Sequence, residues 1–218
     1  MFRRLNKYLT PLNAQELRNA TYDGAFARLA LRLASDEYWA ENRIVTSVSI
    51  RRMADVEFMS ELVIGVMHGP QGGSAKVVDD YYGNYEDFDE EFPGQRKATR
   101  LFRVTLETVK TVLPNIKETR WSNKTDFYTL FVTVASLLQM GTLPRSSESK
   151  VRVALGRFAD EIATRLREER ARVSEPAIDY VRAVEKGAND KRRRADRQAA
   201  LLDVIGRFFK KKRSALNG

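Results

Sequence analysis

The sequence contains no cysteine and only one histidine, His68. The first absence excludes a disulfide framework, a thiolate metal site and a cysteine nucleophile together, and it suits a reducing cytosol. The second leaves zinc, haem and Ser–His chemistry without a ligand set or a general base of the usual kind. His68 itself lies in HGPQGG and reads as a solvent-facing turn residue. A glycine-rich phosphate loop is lacking too: GPQGG has no Walker lysine and does not sit between a strand and a helix. Nor is there a long apolar run, because FYTLFVTVASLLQMG falls short of the ~20 residues that span a bilayer. The early charges Arg3, Arg4 and Lys7 are followed by polar residues, not by the apolar centre of a secretory signal. These absences lead to the expectation of a soluble cytoplasmic protein with no membrane partner, no evident cofactor, no metal site and no catalytic residue in this chain alone.

What is present is a folded composition, 43% apolar and 10% aromatic, with an uneven charge. Residues 1–149 carry 19 basic and 19 acidic side chains, whereas residues 150–218 carry 19 against 10, so the net charge of +9 comes from the last third. Seven carboxylates fall between Asp79 and Glu91 with no basic residue among them. This pairing of an acidic segment with a basic tail points to a polyanionic partner, nucleic acid before membrane, or to docking between oppositely charged surfaces, including those of a second copy.

Hydrophobic periodicity predicts helices almost throughout. Asn13 and Glu16 have the spacing of a capping box, which predicts a helix over 14–22 broken by Asp23–Gly24. Phe26, Leu29, Ala30 and Leu33 mark a second. Ser49 is a candidate N-cap for a third, carried by Ile50, Met53, Val56, Met59, Leu62, Val63, Val66 and Met67. Further helices are expected from Ala98 to Val112, from near Thr125 to the Gly141 stop, and from Val151 to Leu166 after a loop over 143–147. Pro176 begins a short one ended by Gly187, and a last one is expected over 190–209. No alternating pattern exceeds RIVTSVSI. The fold class is therefore all-α: an irregular bundle of about six to eight helices with an acidic loop and a basic C-terminal helix. It divides into residues 1–26, residues 27–187 and the basic helix and tail of 188–218.

The basic tail is the strongest signal read from the residues themselves. Lys191, Arg192, Arg193, Arg194 and Arg197 at one end, with Lys210, Lys211, Lys212 and Arg213 at the other, flank an apolar stretch. They are candidates for phosphate contacts with nucleic acid; an ordinary solvated face is the alternative. The acidic run does not match the spacing of a calcium loop and reads as a solvated loop or a docking face.

The N-terminal stretch FRRLNKYLTPLNAQELRNATYDGAF resembles the internal signature of the GmrSD-type restriction endonuclease N-terminal-domain family. Phe2, Arg4, Leu5, Asn6, Thr10, Pro11, Leu12, Asn13, Gln15, Glu16, Leu17, Arg18, Asn19, Ala20, Gly24 and Phe26 fall on that pattern. IRRMADVEFMSELV over 50–63 resembles the family's next helix, and KRRRADRQAALLDVI its arginine-rich last one. One departure is Tyr8–Leu9, where the family tends to have glycine. The resemblance implies that Arg4 and Asn6 line a nucleotide site shared with a strand-rich ParB-like module upstream, and that Gln15, Glu16, Arg18 and Asn19 brace the junction. The alternative is that Asn13 and Glu16 only cap a helix and Arg18 only pairs with a carboxylate. The function so implied is a nucleic-acid-binding or scaffolding module of a restriction or phage-defence system. NTP and magnesium would enter only if a partner chain or that missing module completes the site. A nucleotide-dependent nuclease or NTPase subunit completed in this way is the alternative, and a protein-interaction module without DNA binding is a second.

Overall fold

A computed structural model describes residues 11–185, 187 and 189–211. Among them, eleven α-helices and three short 3-10 turns make an all-α irregular bundle whose sheet is one two-residue pair. The helices are α1 (Ala14–Thr21), α2 (Ala25–Ala34), α3 (Tyr38–Glu41), α4 (Ser47–Arg51), α5 (Ala54–His68) and α6 (Ala75–Asn84). They continue with α7 (Gln95–Val112), α8 (Lys124–Met140), α9 (Arg145–Arg167), α10 (Glu175–Glu185) and α11 (Lys191–Ile205). Eight of them have ten residues or more. No described helix is long and apolar enough to cross a membrane.

Two helices form the centre. In α5 every residue from Phe58 to Val66 is buried, and in α8 every residue from Asp126 to Ala135 is. Sequences without a polar face belong in the middle of a bundle, and α5 packs on α2, α7 and α8, while α8 packs on α5, α7 and α11. Gly65 marks the α5–α8 crossing: a Cβ there would stand 2.6 Å from a methyl of Val132 and 3.2 Å from the Tyr128 hydroxyl. The basic helix α11 is part of the same core, lying against α8, α9 and α10 with Leu201 and Ile205 fully buried. Past it, Lys210–Lys211 pairs antiparallel with Gly141–Thr142 and fixes the end of the described chain to the end of α8.

The structure departs from the periodicity reading at four places. The helix expected from Ser49 is two, α4 and α5, with Thr46 as the cap of the first and Met53 left-handed at φ 53° between them. The Arg52 carbonyl, which a continuous helix would present to Val56, accepts a hydrogen bond from Asn13 Nδ2 at 2.8 Å. The acidic loop is half helix: Val78 and Tyr82, one turn apart and both buried, put Asp79 and Asp80 on α6. Residues 145–147, expected as a loop, instead open α9, with Pro144 extended (φ −65°, ψ 142°) at the N-cap position. The last helix stops at Ile205, and Gly206–Phe208 is a 3-10 turn.

Several phenols are held above their ordinary range, in each case chiefly by burial. Tyr38 is pushed up to about 12, and Tyr82, Tyr128 and Tyr180 are also raised. Tyr180 donates to Asp126 Oδ1 at 2.7 Å, which disfavours its anion further. A phenol whose folded-state pKa is raised contributes stability in full below its unfolded value near 10. That contribution is lost as the pH climbs toward the folded value, at ~1.4 kcal/mol per pH unit for each phenol. Urea unfolding at successive pH values should therefore show stability constant to about pH 9.5 and falling steeply above 10. Tyr180→Phe should lower the slope by one phenol's share; an unchanged slope would show that Tyr180 ionises as freely folded as unfolded.

Candidate functional site

Of the signature residues within the described chain, Gln15 to Ala20 lie on α1 and Asn13 caps it, while Gly24 and Phe26 open α2. The capping box forms as expected: Glu16 N–H donates to Asn13 Oδ1 at 2.9 Å and Asn13 N–H to Glu16 Oε2 at 2.8 Å. Arg52, at the C-cap of α4, clamps the same turn, pairing with Glu16 at 3.3 Å and donating to the Pro11 carbonyl. What buries α1 is polar. Gln15 and Arg18 are each 2% exposed, whereas Leu12 is 65% and Leu17 57% exposed. Leu12 and Leu17 hold the N′ and N4 positions of a hydrophobic staple, so the helix turns its apolar pair outward and its polar pair inward. Nearby α4 adds Val48 and Ile50, also exposed.

Arg18 is the bolt of this arrangement. Its Nε donates to Asp79 at 2.6 Å, Nη1 to Glu57 at 3.0 Å and to Gln15 Oε1 at 2.9 Å, and Nη2 to the Ala75 carbonyl at 3.2 Å. Burial works against its charge, but the hydrogen bonds to Asp79 and Glu57 outweigh it, and its pKa lies above the ordinary value. Gln15 in turn donates to the Tyr82 hydroxyl, which meets Ser60 Oγ at 3.0 Å. Three helices, α1, α5 and α6, thus share one polar network. Gln15, Glu16 and Arg18 brace α1 onto the helical body itself; Asn19 is exposed and takes no part. Arg4 and Asn6 lie outside the described residues.

The basic cluster does not form one surface. Lys191 and Arg192 are exposed, and Arg193 is half-buried and pairs with Asp196 at 3.2 Å. Arg194 and Arg197 point into the core, 5% and 1% exposed, which corrects their reading as phosphate contacts. Arg194 pairs with Glu61 of α5, donates to the Gln71 carbonyl at 3.0 Å and lies 4.0 Å over the Tyr128 ring. Arg197 Nε donates to Thr129 Oγ1 at 3.0 Å, and burial lowers its pKa. Lys210 and Lys211 are exposed, but they follow the other end of α11, roughly 20 Å from Lys191 at the helical rise. Lys212 and Arg213 lie outside the described residues.

The carboxylates of the acidic run are likewise distributed. Asp79 serves Arg18, Asp80 pairs with Lys76, Glu86 accepts from the backbone N–H groups of Asp23 and Gly24, and Glu91 pairs with Arg96. No group of three or more His, Asp or Glu side chains among the described residues is placed to hold a metal ion. Sequence reasoning missed Glu57, Glu61 and Asp126, the acidic partners of the interior. Their signal was a charged residue inside an otherwise apolar helical run, which demands a buried counterion. No family model, characterised protein or solved structure matches the chain.

Proposed function

We propose that the chain is the helical scaffolding module of a GmrSD-like restriction or phage-defence system, non-catalytic on its own, and that it engages a protein partner through the outer face of α1. The observation that carries this reading is the inversion of α1, which buries Gln15 and Arg18 while displaying Leu12 and Leu17. A helix set on its core through a polar face has its apolar face free for another surface, and exposed apolar clusters mark such surfaces. The resemblance supplies the kind of partner, a strand-rich ParB-like module of that family.

The test supplies such a module as a separate chain and measures binding by calorimetry. The Leu12→Asp, Leu17→Asp double variant should lose about tenfold or more in affinity, the equivalent of ~1.4 kcal/mol, with an unchanged circular dichroism spectrum and melting temperature. Equal binding by the two proteins, or none by either, would overturn the proposal. A second reading, nucleic-acid contact, is favoured by the exposed Lys191, Arg192, Lys210 and Lys211. It requires duplex affinity to rise steeply as salt falls from physiological to ~50 mM. A flat salt titration removes it.

A further inference from the structure

A groove of about 480 Å³ runs along α9 and is bounded by the start of α10 and the end of α11. We propose that it binds a single-chain anionic amphiphile, a fatty-acid carboxylate, a function separate from the partner face of α1.

The floor of the groove is apolar. Val153, Ala154 and Phe158 of α9 meet Pro176 of α10, with Val204 and Phe208 from the end of α11. On α9 the lining positions 150, 153, 154, 157, 158 and 161 recur at three- and four-residue steps, so one helix face supplies a whole wall. Val153 is 52% exposed, and the described chain leaves this part of the wall uncovered. Pockets that take small molecules have volumes of roughly 300–1,000 Å³, with mainly apolar walls and a few polar groups that orient the ligand. This groove fits that description.

The polar groups on its rim are cationic. Lys150, Arg157 and Arg207 line it together with one carboxylate, Glu161. Glu161 accepts a hydrogen bond from Ser174 Oγ, also in the wall, and forms no ion pair with a rim cation. None of the three cations pairs with a carboxylate among the described residues. Glu175 and Asp203, sequence neighbours of Ser174 and Val204, line a separate cleft with Arg192 and Arg193. The Arg207 guanidinium lies 5.0 Å over the ring of Phe208, which fixes one cation beside the apolar floor.

Exposed cations alone are ordinarily solvated. These three differ in bordering an uncovered apolar surface, and the ligand that complements both has an apolar body and an anionic head. A carboxylate head answers a guanidinium with charge-assisted hydrogen bonds, while each methylene laid on the floor leaves water. The chain's own undescribed ends lack the matching charge: residues 1–10 carry Arg3, Arg4 and Lys7, residues 212–218 carry Lys212 and Arg213, and neither has an acidic side chain.

Calorimetric titration with sodium decanoate, kept below its micelle concentration, tests this. Wild type should bind one decanoate saturably. The Lys150→Gln, Arg157→Gln double variant should bind about tenfold more weakly with an unchanged melting temperature, since both residues are exposed and unpaired. Val153→Asp, which places a like charge on the floor, should weaken binding by at least as much. Decanol should bind about tenfold more weakly than decanoate for want of the head group. Shortening the chain to hexanoate should cost roughly two- to fourfold per methylene. No binding by wild type, equal binding by the double variant, equal affinity for decanol, or affinity independent of chain length would each overturn the proposal. Two further arms identify other occupants. Binding to phosphatidylglycerol vesicles without binding to monomeric decanoate would overturn it in favour of a membrane surface, and a wild-type dimer that Val153→Asp dissociates, in favour of a second copy.

Discussion

Arg194→Ala is expected to lower the stability of the chain by roughly 3–5 kcal/mol, the range for breaking a buried ion pair by removing one partner. The loss would consume a large part of a typical total of ~5–15 kcal/mol. The reasoning starts with Glu61, whose side chain is 9% exposed on the central helix α5. Without Arg194 its carboxylate has no cation in hydrogen-bonding reach among the described residues, and an ionised group in that setting is strongly penalised. The substitution also removes the planar group from the face of Tyr128 and leaves the Gln71 carbonyl without its donor. The site is shaped for this guanidinium: a Cβ on Gly73 would lie 2.5 Å from Arg194 Nη2. Arg194→Lys should therefore recover only part of the loss, since an ammonium cannot reproduce the stacked, forked geometry.

The control is the pair. Arg194→Met combined with Glu61→Gln should be markedly more stable than Arg194→Met alone, because the second change removes the stranded charge. Urea unfolding of the four proteins in a double-mutant cycle gives the coupling directly, and a value above ~0.5 kcal/mol is expected for residues in one network. Additive losses, or an Arg194→Ala midpoint equal to that of wild type, would show that the pair is not what fixes α11 to α5.

The inward turn of Arg194 and Arg197 also shows how far the sequence could be read. The long helices follow from the three- and four-residue recurrence of apolar positions, because that recurrence is the physical cause of their packing. The same rule contained the answer for the arginines. Positions 194, 197, 201 and 205 share one face of α11, and Leu201 and Ile205 are the apolar residues on it. Reading the charges as a run, rather than as a continuation of that face, placed them in solvent. Other features had no local signal. The break at Met53 depends on Asn13, far away in sequence, taking the Arg52 carbonyl. The role of Asp79 depends on Arg18, 61 residues earlier, and nothing within the acidic run announces it. Local pattern fixes helices; the polar network that orients them is made by partners the pattern does not connect.

Arg18→Met is expected to release α1 from the body while leaving α5 and α6 in place. The global cost should be about 2–3 kcal/mol, below the ~3–5 of a fully enclosed pair, because Asp79 is half-exposed and Glu57 partly so. The local effect should be larger. Apart from Arg18, α1 is held by Gln15 on Tyr82, by the Arg52 clamp at its first turn and by Asn13 on the Arg52 carbonyl, while Leu12 and Leu17 are largely exposed. Hydrogen exchange should therefore show amides of α1 losing most of their protection in the variant, with those of α5 and α8 keeping theirs. Protection of α1 equal to wild type would sink the idea that one buried guanidinium bolts it down. The pH behaviour has a definite sign. A cation whose folded-state pKa is raised stabilises fully below its ordinary unfolded value, and that contribution is lost only in strong alkali above it. Attachment through Arg18 should thus persist as alkali begins to ionise the buried phenols, so that α1 stays docked until the body itself unfolds. The same variant bears on the partner face. Leu12 and Leu17 are displayed at the start of α1, and releasing α1 displaces them, so Arg18→Met should weaken partner binding although Arg18 itself, 2% exposed, can touch no partner. Loss of binding in Arg18→Met and in the double leucine variant, with the melting temperature changed only in the former, separates the residue that positions the surface from the residues that form it.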